Sequence, residues 1–164
     1  MGRRNPRRRR DKPHTRGKNL RNNQAFGRFL TMYKYLLDTN ICIFMLKNKY
    51  GIREAVIKAK PENCYVSEIT IAELYYGASK SNQKTERIKD VDFILQNFKV
   101  LPIYPALPLF GDIRAELEES GKRIDDFDIL IGATSIQNKM TVVSDNVKHI
   151  GRIPNVKIEN WVTR

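Results

Sequence analysis

The chain is poor in the residues that build metal–sulfur and redox sites. Its 164 residues include two cysteines and two histidines. Cys42 and Cys64 have neither zinc-ligand spacing nor the spacing of a redox dithiol, and His14 and His149 stand apart from them. This excludes a zinc finger and a disulfide-stapled scaffold, and leaves two buried free thiols in a reducing cytoplasm. Long apolar runs are missing too. No stretch approaches the ~18 residues of a membrane span. The arginine-rich start lacks the apolar segment of a secretory signal. There are no internal repeats.

Acidic residues are scarce in one region only. Met1 to Thr31 holds eleven Lys and Arg against one Asp, which leaves nineteen basic and seventeen acidic residues from Met32 to Arg164. The net charge of +12 therefore belongs mostly to the start of the chain. That segment is rich in Arg, Asn and Gly and poor in aliphatics, so it is expected to be a disordered basic extension. Two readings compete for it. It is either an arm that neutralises nucleic-acid phosphates, or a segment outside the working protein, since Met32 stands directly before the first strand. The second is favoured. The rest, Met32 to Arg164, is long enough for one domain, and a hydrophobic content of 41% is enough for its core.

Within that domain, strand-like and helix-like segments alternate. Strands are expected at Met32–Leu37, Asn63–Val66, Lys99–Ile103, Met140–Val143 and Val156–Ile158, with Trp161 packing over the last. Helices are expected at Ile41–Lys47 (capped by Thr39 or Asn40), Ile52–Ala59, Ser67–Tyr76, Gln83–Phe98, Pro108–Ser120 and within Ile124–Asn138. Asp92 interrupts the apolar stripe of the fourth helix, formed by Ile88, Val91, Leu95 and Phe98. In the last, capped by Asp125 or Asp126, Phe127, Leu130, Ile131, Thr134 and Ile136 should face the sheet. The pattern predicts a doubly wound α/β fold with a mainly parallel sheet flanked by helices.

Against that frame four acids are conspicuous. Tyr35-Leu36-Leu37-Asp38 is an apolar strand ending on a carboxylate, placed where open α/β sheets gather ligands. Glu73 follows the second strand. It also completes Thr70-Ile-Ala-Glu73, a capping-box pattern that gives it a purely structural role. Asp128 lies in the first turn of a helix, where the macrodipole alone favours a carboxylate. Asp145 ends the Met140–Val143 strand. Right-handed crossovers bring these four points to one sheet edge. Carboxylates gathered there raise one another's pKa unless a cation joins them. Oxygen-only ligands suit Mg²⁺ or Mn²⁺, which can polarise a phosphodiester.

The ordered set Met32-Tyr-Lys-Tyr-Leu-Leu-Asp-Thr-Asn-Ile-Cys-Ile, Thr70-Ile-Ala-Glu-Leu-Tyr-Tyr-Gly-Ala, Ile113-Arg-Ala-Glu-Leu, Ile124-Asp-Asp-Phe-Asp-Ile-Leu-Ile-Gly-Ala and Val142-Val-Ser-Asp-Asn resembles PIN-domain toxins of the VapC type. The resemblance runs from Met32 to Arg164. It implies a PIN fold, an Mg²⁺-dependent endoribonuclease, and a cognate VapB antitoxin that silences it. By position Asp38, Glu73 and Asp128 match the central acids, with Asp38 and Asp128 as metal ligands. The fourth position departs from the common Thr-x-Asp. Here Ser144-Asp145-Asn146 puts Asn146 in register with the usual acid and Asp145 beside it, and both remain candidates. The Leu-Asp-Thr-Asn-Ile-Cys signature resembles the subgroup that cuts initiator tRNA in the anticodon stem-loop. Relatives also imply a homodimer. Ile41, Phe44 and Met45 follow Asp38 on a short helix; the favoured reading of them is core, and the alternative is that some offer a groove to a partner helix.

Rival classes fit less well. A haloacid-dehalogenase-type phosphatase needs a second Asp two residues after the first, where this chain has Asn40. A receiver domain needs earlier acids and a late Lys. A non-catalytic RNA-binding module would use the basic extension and leave the acids unexplained.

Overall fold

In the computed structural model the described residues are Gly2 and 33–164, so the expected disorder of the basic extension lies outside them. Five short strands, β1 (Tyr35–Leu37), β2 (Cys64–Ser67), β3 (Lys99–Leu101), β4 (Thr141–Val143) and β5 (Lys157–Glu159), form one parallel sheet in the order β3-β2-β1-β4-β5. The helices are α1 (Thr39–Leu46), α2 (Ile52–Ala59), α3 (Glu68–Lys80), α4 (Lys84–Asn97), α5 (Leu107–Glu119), α6 (Asp126–Gln137) and α7 (Val147–Ile150). The chain builds outward from β1 through β2 to β3, then crosses back to lay β4 on the other side of β1. The switch point therefore falls between β1 and β4, where a doubly wound sheet opens its crevice.

Alternation along the strands feeds two cores. Leu36 and Val142 point to one face, where Ile113 and Leu117 of α5, Ile129 and Ile131 of α6, and Ile150 of α7 cover them. Leu37, Val143, Cys64 and Val66 point to the other, against Ile41 and Met45 of α1, Val56 of α2, Leu74 of α3 and Val91 and Ile94 of α4. Both cysteines are free and buried there. Strands buried on both faces account for the unbroken apolar runs. At Gly132 of α6 an added Cβ would stand 2.4 Å from Ile153 Cδ1, so a glycine admits Ile153 to the core. No described helix is long and apolar enough to cross a membrane.

Several local expectations need correction. The fourth helix buries Val91, Ile94 and Phe98, while Leu95 is exposed and Asp92 lies on the solvent side. Asp92 therefore interrupts no stripe. Phe127 is 46% exposed rather than facing the sheet, because it precedes the first turn that reaches the core. Trp161 keeps its expected tie to β5, its Nε1 donating to Glu159 at 2.8 Å, and it also sets its ring edge-on to Tyr35 of β1 at 4.8 Å. Helix α3 runs through Gly77 to Lys80 instead of ending at Tyr76.

Candidate active site

The site begins where β1 stops. Asp38, 4% exposed, has extended backbone and caps α1, its Oδ1 accepting from Thr39 N at 2.7 Å. Asp38 itself is thus the cap expected at Thr39 or Asn40, and α1 starts two residues early. The other oxygen, Oδ2, accepts from Ser144 Oγ at 2.6 Å. Burial raises the Asp38 pKa, and the Ser144 and Thr39 hydrogen bonds oppose that rise.

Glu73 comes from the middle of α3. The cap of that helix is Ser67, whose Oγ accepts from Thr70 N at 3.1 Å. The capping box expected at Thr70–Glu73 does not form, because the helix starts where β2 ends and Thr70 already lies in its first turn. Glu73 is instead free to turn inward, and it accepts a hydrogen bond from the Thr39 hydroxyl beside Asp38. Burial raises its pKa, and the charges of Asp38 and Asp125 add to that.

Asp128 stands in the first turn of α6, which Asp125 caps by accepting from Phe127 N at 2.8 Å. It is half-buried. Burial, then the charges of Asp38, Asp125 and Glu73, push its pKa up to about 6. Repulsion between these groups is the physical sign that they share one crevice. Asn146 Nδ2 donates to Asp128 Oδ2 at 3.1 Å.

The fourth position divides. Asn146 joins the cluster, whereas the Asp145 carboxylate accepts from Arg164 at 2.5 Å and from Asn160 at 3.1 Å, away from the other acids. Ser144, unassigned in the sequence reading, joins them as the donor to Asp38, and its Oγ also accepts from Asn146 N at 2.9 Å. Its signal was available: it fills the first place of the Thr-x-Asp pattern, and any hydroxyl there reaches across to β1. Thr39 and Asp125 are likewise site neighbours that sequence reading treated as caps.

Among the described residues, no Lys or Arg forms a salt bridge with Asp38, Glu73 or Asp128. Nor do any three acidic, Cys or His side chains among them stand as a group that could hold a metal ion by itself. Oxygen donors that repel one another and lack a paired cation suit a hard divalent ion such as Mg²⁺, which takes few protein ligands and retains several waters.

The core reading holds for two of the three apolar residues singled out on α1. Ile41 and Met45 are core, and Phe44 packs edge-on against Tyr50 at 4.8 Å. Ile43 and Leu46, on another side of the helix, are half-buried. With Leu74, Gly77 and Val91 they line an apolar cavity of about 230 Å³ that reaches Glu73.

An acid-lined crevice at the switch point of a doubly wound sheet defines the class: residues 35–154 match the family model described as PIN domain. The chain is 35% identical over 131 residues to "Ribonuclease VapC2" of Rickettsia felis, covering 77% of this chain and 97% of that one. It is 36% identical over 132 residues to "tRNA(fMet)-specific endonuclease VapC" of Salmonella typhimurium, covering 79% and 99%. Among solved structures, VapBC2 from Rickettsia felis bound to a promoter DNA fragment matches with a TM-score of 0.73 at 33% identity, covering 77% of this chain and 98% of that one. DNA-bound VapBC from Salmonella typhimurium gives a TM-score of 0.73 at 34% identity, over 79% and 98%. The chain belongs to the PIN-domain family, in its VapC ribonuclease branch.

Proposed function

We propose that this protein is the toxin of a type II toxin–antitoxin pair, an Mg²⁺-dependent cytoplasmic endoribonuclease that cuts initiator tRNA in the anticodon stem-loop. The observation that carries the nuclease reading is the meeting of Asp38, Glu73 and Asp128, from β1, α3 and α6, in a crevice with no paired cation among the described residues. The tRNA target rests on the relative from Salmonella typhimurium, which is named a tRNA(fMet)-specific endonuclease.

Asp38 and Asp128 are the groups that would hold the cation, with Asn146 orienting Asp128 and Ser144 orienting Asp38. When bound, a divalent ion supplies Lewis-acid polarisation of the phosphodiester and neutralises the carboxylates. Glu73, held by the Thr39 hydroxyl, is positioned to take the proton of an attacking water; its raised pKa suits a general base. The partner is a VapB-type antitoxin. Its apolar side chains would occupy the groove of Ile43, Leu46 and Leu74, and an Arg or Lys would enter the acid crevice. The active species is a homodimer.

The test is cleavage of total RNA with end mapping, in Mg²⁺ and in chelator, with and without the product of the neighbouring antitoxin-like gene. The expected result is one Mg²⁺-dependent cut in the initiator tRNA, suppressed in the complex. Cuts elsewhere would discard the tRNA target and keep the nuclease. An active complex would discard the antitoxin.

A further inference from the structure

The turn that follows β4 presents its side chains in two directions. Ser144 and Asn146 face the acids and hydrogen-bond Asp38 and Asp128. Asp145, between them, faces the other way: its Oδ2 accepts from Arg164 Nη2 at 2.5 Å, and its Oδ1 accepts from Asn160 Nδ2 at 3.1 Å. The segment that carries Asn160 and Arg164 is anchored at a second place. Thr163 N donates to the Tyr50 carbonyl at 3.1 Å, and the Arg164 guanidinium lies 5.4 Å from the centre of the Tyr50 ring. The Tyr50 ring in turn packs edge-on against Phe44 of α1. Residues 160–164 therefore join the two pieces from which the site is made: α1, which Asp38 caps, and the turn that orients Asp38 and Asp128.

We propose that Arg164, acting through Asp145, is a positioning residue for the acid site. It fixes the 144–146 turn so that Ser144 and Asn146 hold the two metal-binding carboxylates in a usable arrangement. The inference rests on the nuclease reading above and extends it to residues remote from the chemistry. It also gives Asp145 a role other than ligand. Arg164 is largely exposed, and exposed ion pairs contribute little to stability. Groups that orient metal ligands, by contrast, alter metal affinity or activity by about 10–100-fold when removed. A structural tie and a positioning tie therefore separate experimentally.

The experiment measures Mn²⁺ binding by electron paramagnetic resonance for the wild type, Arg164→Ala, Asp145→Asn and Arg164→Lys, with Asp38→Asn as the control for loss of the site. Melting temperature, kcat and KM on RNA are followed in the same set. In Arg164→Ala and Asp145→Asn the expected result is Mn²⁺ affinity and kcat each about tenfold lower. KM and melting temperature should be nearly unmoved. Arg164→Lys should recover part of the loss, since it keeps the charge and loses the planar fork. Wild-type Mn²⁺ affinity in both variants overturns the proposal. So does a rise in KM alone, which would make Arg164 an RNA contact. Should Arg164→Ala fail to fold, Asp145→Asn and Arg164→Lys carry the same test. A wild type that binds Mn²⁺ and cuts no RNA defeats the nuclease reading, while the Mn²⁺ titrations still decide the role of Arg164.

Discussion

The corner between β1 and α1 and the first turn of α6 contribute one carboxylate each to the same crevice, under opposite conditions. Asp38 is almost fully buried, yet both its oxygens receive fixed donors, Thr39 N and Ser144 Oγ. Asp128 is half-exposed, has the single Asn146 donor, and faces the charges of Asp38, Asp125 and Glu73. One acid is built into the fold and the other is held there against repulsion. Burial alone would have predicted the reverse order of strain. The decisive quantity is how many donors accompany each carboxylate into the site.

The largest effect should come from removing either charge. Asp38→Asn and Asp128→Asn are each expected to lower RNA cleavage at least about 100-fold, the scale of losing one preorganised electrostatic group. Purified variants assayed on the mapped substrate would show it, and near-normal cleavage by either would remove that residue from the site. Next in size is Ser144→Ala. It strips one donor from Asp38 and the acceptor from Asn146 N, so it should cost about 1–3 kcal/mol of stability and roughly tenfold in activity. Urea unfolding alongside kinetics measures both, and loss of stability without loss of activity would make Ser144 a fold residue only.

The two acids should then part company in the metal-free protein. Asp128→Asn relieves repulsion and is expected to raise stability by about 1 kcal/mol, after allowing for solvent screening of a half-exposed group. Asp38→Asn trades a fully satisfied carboxylate for an amide and should bring no gain. Equal shifts in denaturant midpoint would erase the contrast drawn between them. The smallest effect is on the pH profile. Since the Asp128 pKa is raised from 3.8 to about 6, the folded state favours its protonated form. The stability that this contributes is fully present below pH 3.8 and is lost as the pH rises through about 6. Asp38 and Glu73 are shifted in the same direction. The metal-free melting temperature should therefore fall over that window, less steeply in Asp128→Asn. A profile identical in the variant would show that Asp128 does not titrate as its surroundings dictate.

The acids on strand ends were legible because an apolar run followed by a carboxylate has few other uses. Asp38 came from that logic, Asp128 from its place in the first turn of a helix, and the mainly parallel sheet followed from the alternation of segments. What escaped the sequence was phase. Ser67 and Thr70 are both competent helix caps, and only the end point of β2 decides between them; that choice removes the capping-box role that competed with the site role for Glu73. Asp145 and Asn146 are neighbours on a turn, and the backbone at one residue determines which faces the crevice. On α1 the core reading of Ile41 and Met45 holds, and Ile43 and Leu46, which the sequence did not single out, line the groove. Four-residue α7 is too short to leave a periodic signal.

The two thiols beneath the site have a use of their own. Cys42 on α1 and Cys64 on β2 are both buried, and burial pushes Cys64 up to about 12 and holds Cys42 above its usual range. Alkylating reagents attack the thiolate, so neither sulfur is a target while the α1–β2 layer stays closed. Each labelling event then records one local opening of the layer that carries Asp38. The chain thus has a native stopwatch for its own site, readable by mass spectrometry without an added label. A ligand that binds only the closed form should slow it in proportion to its occupancy.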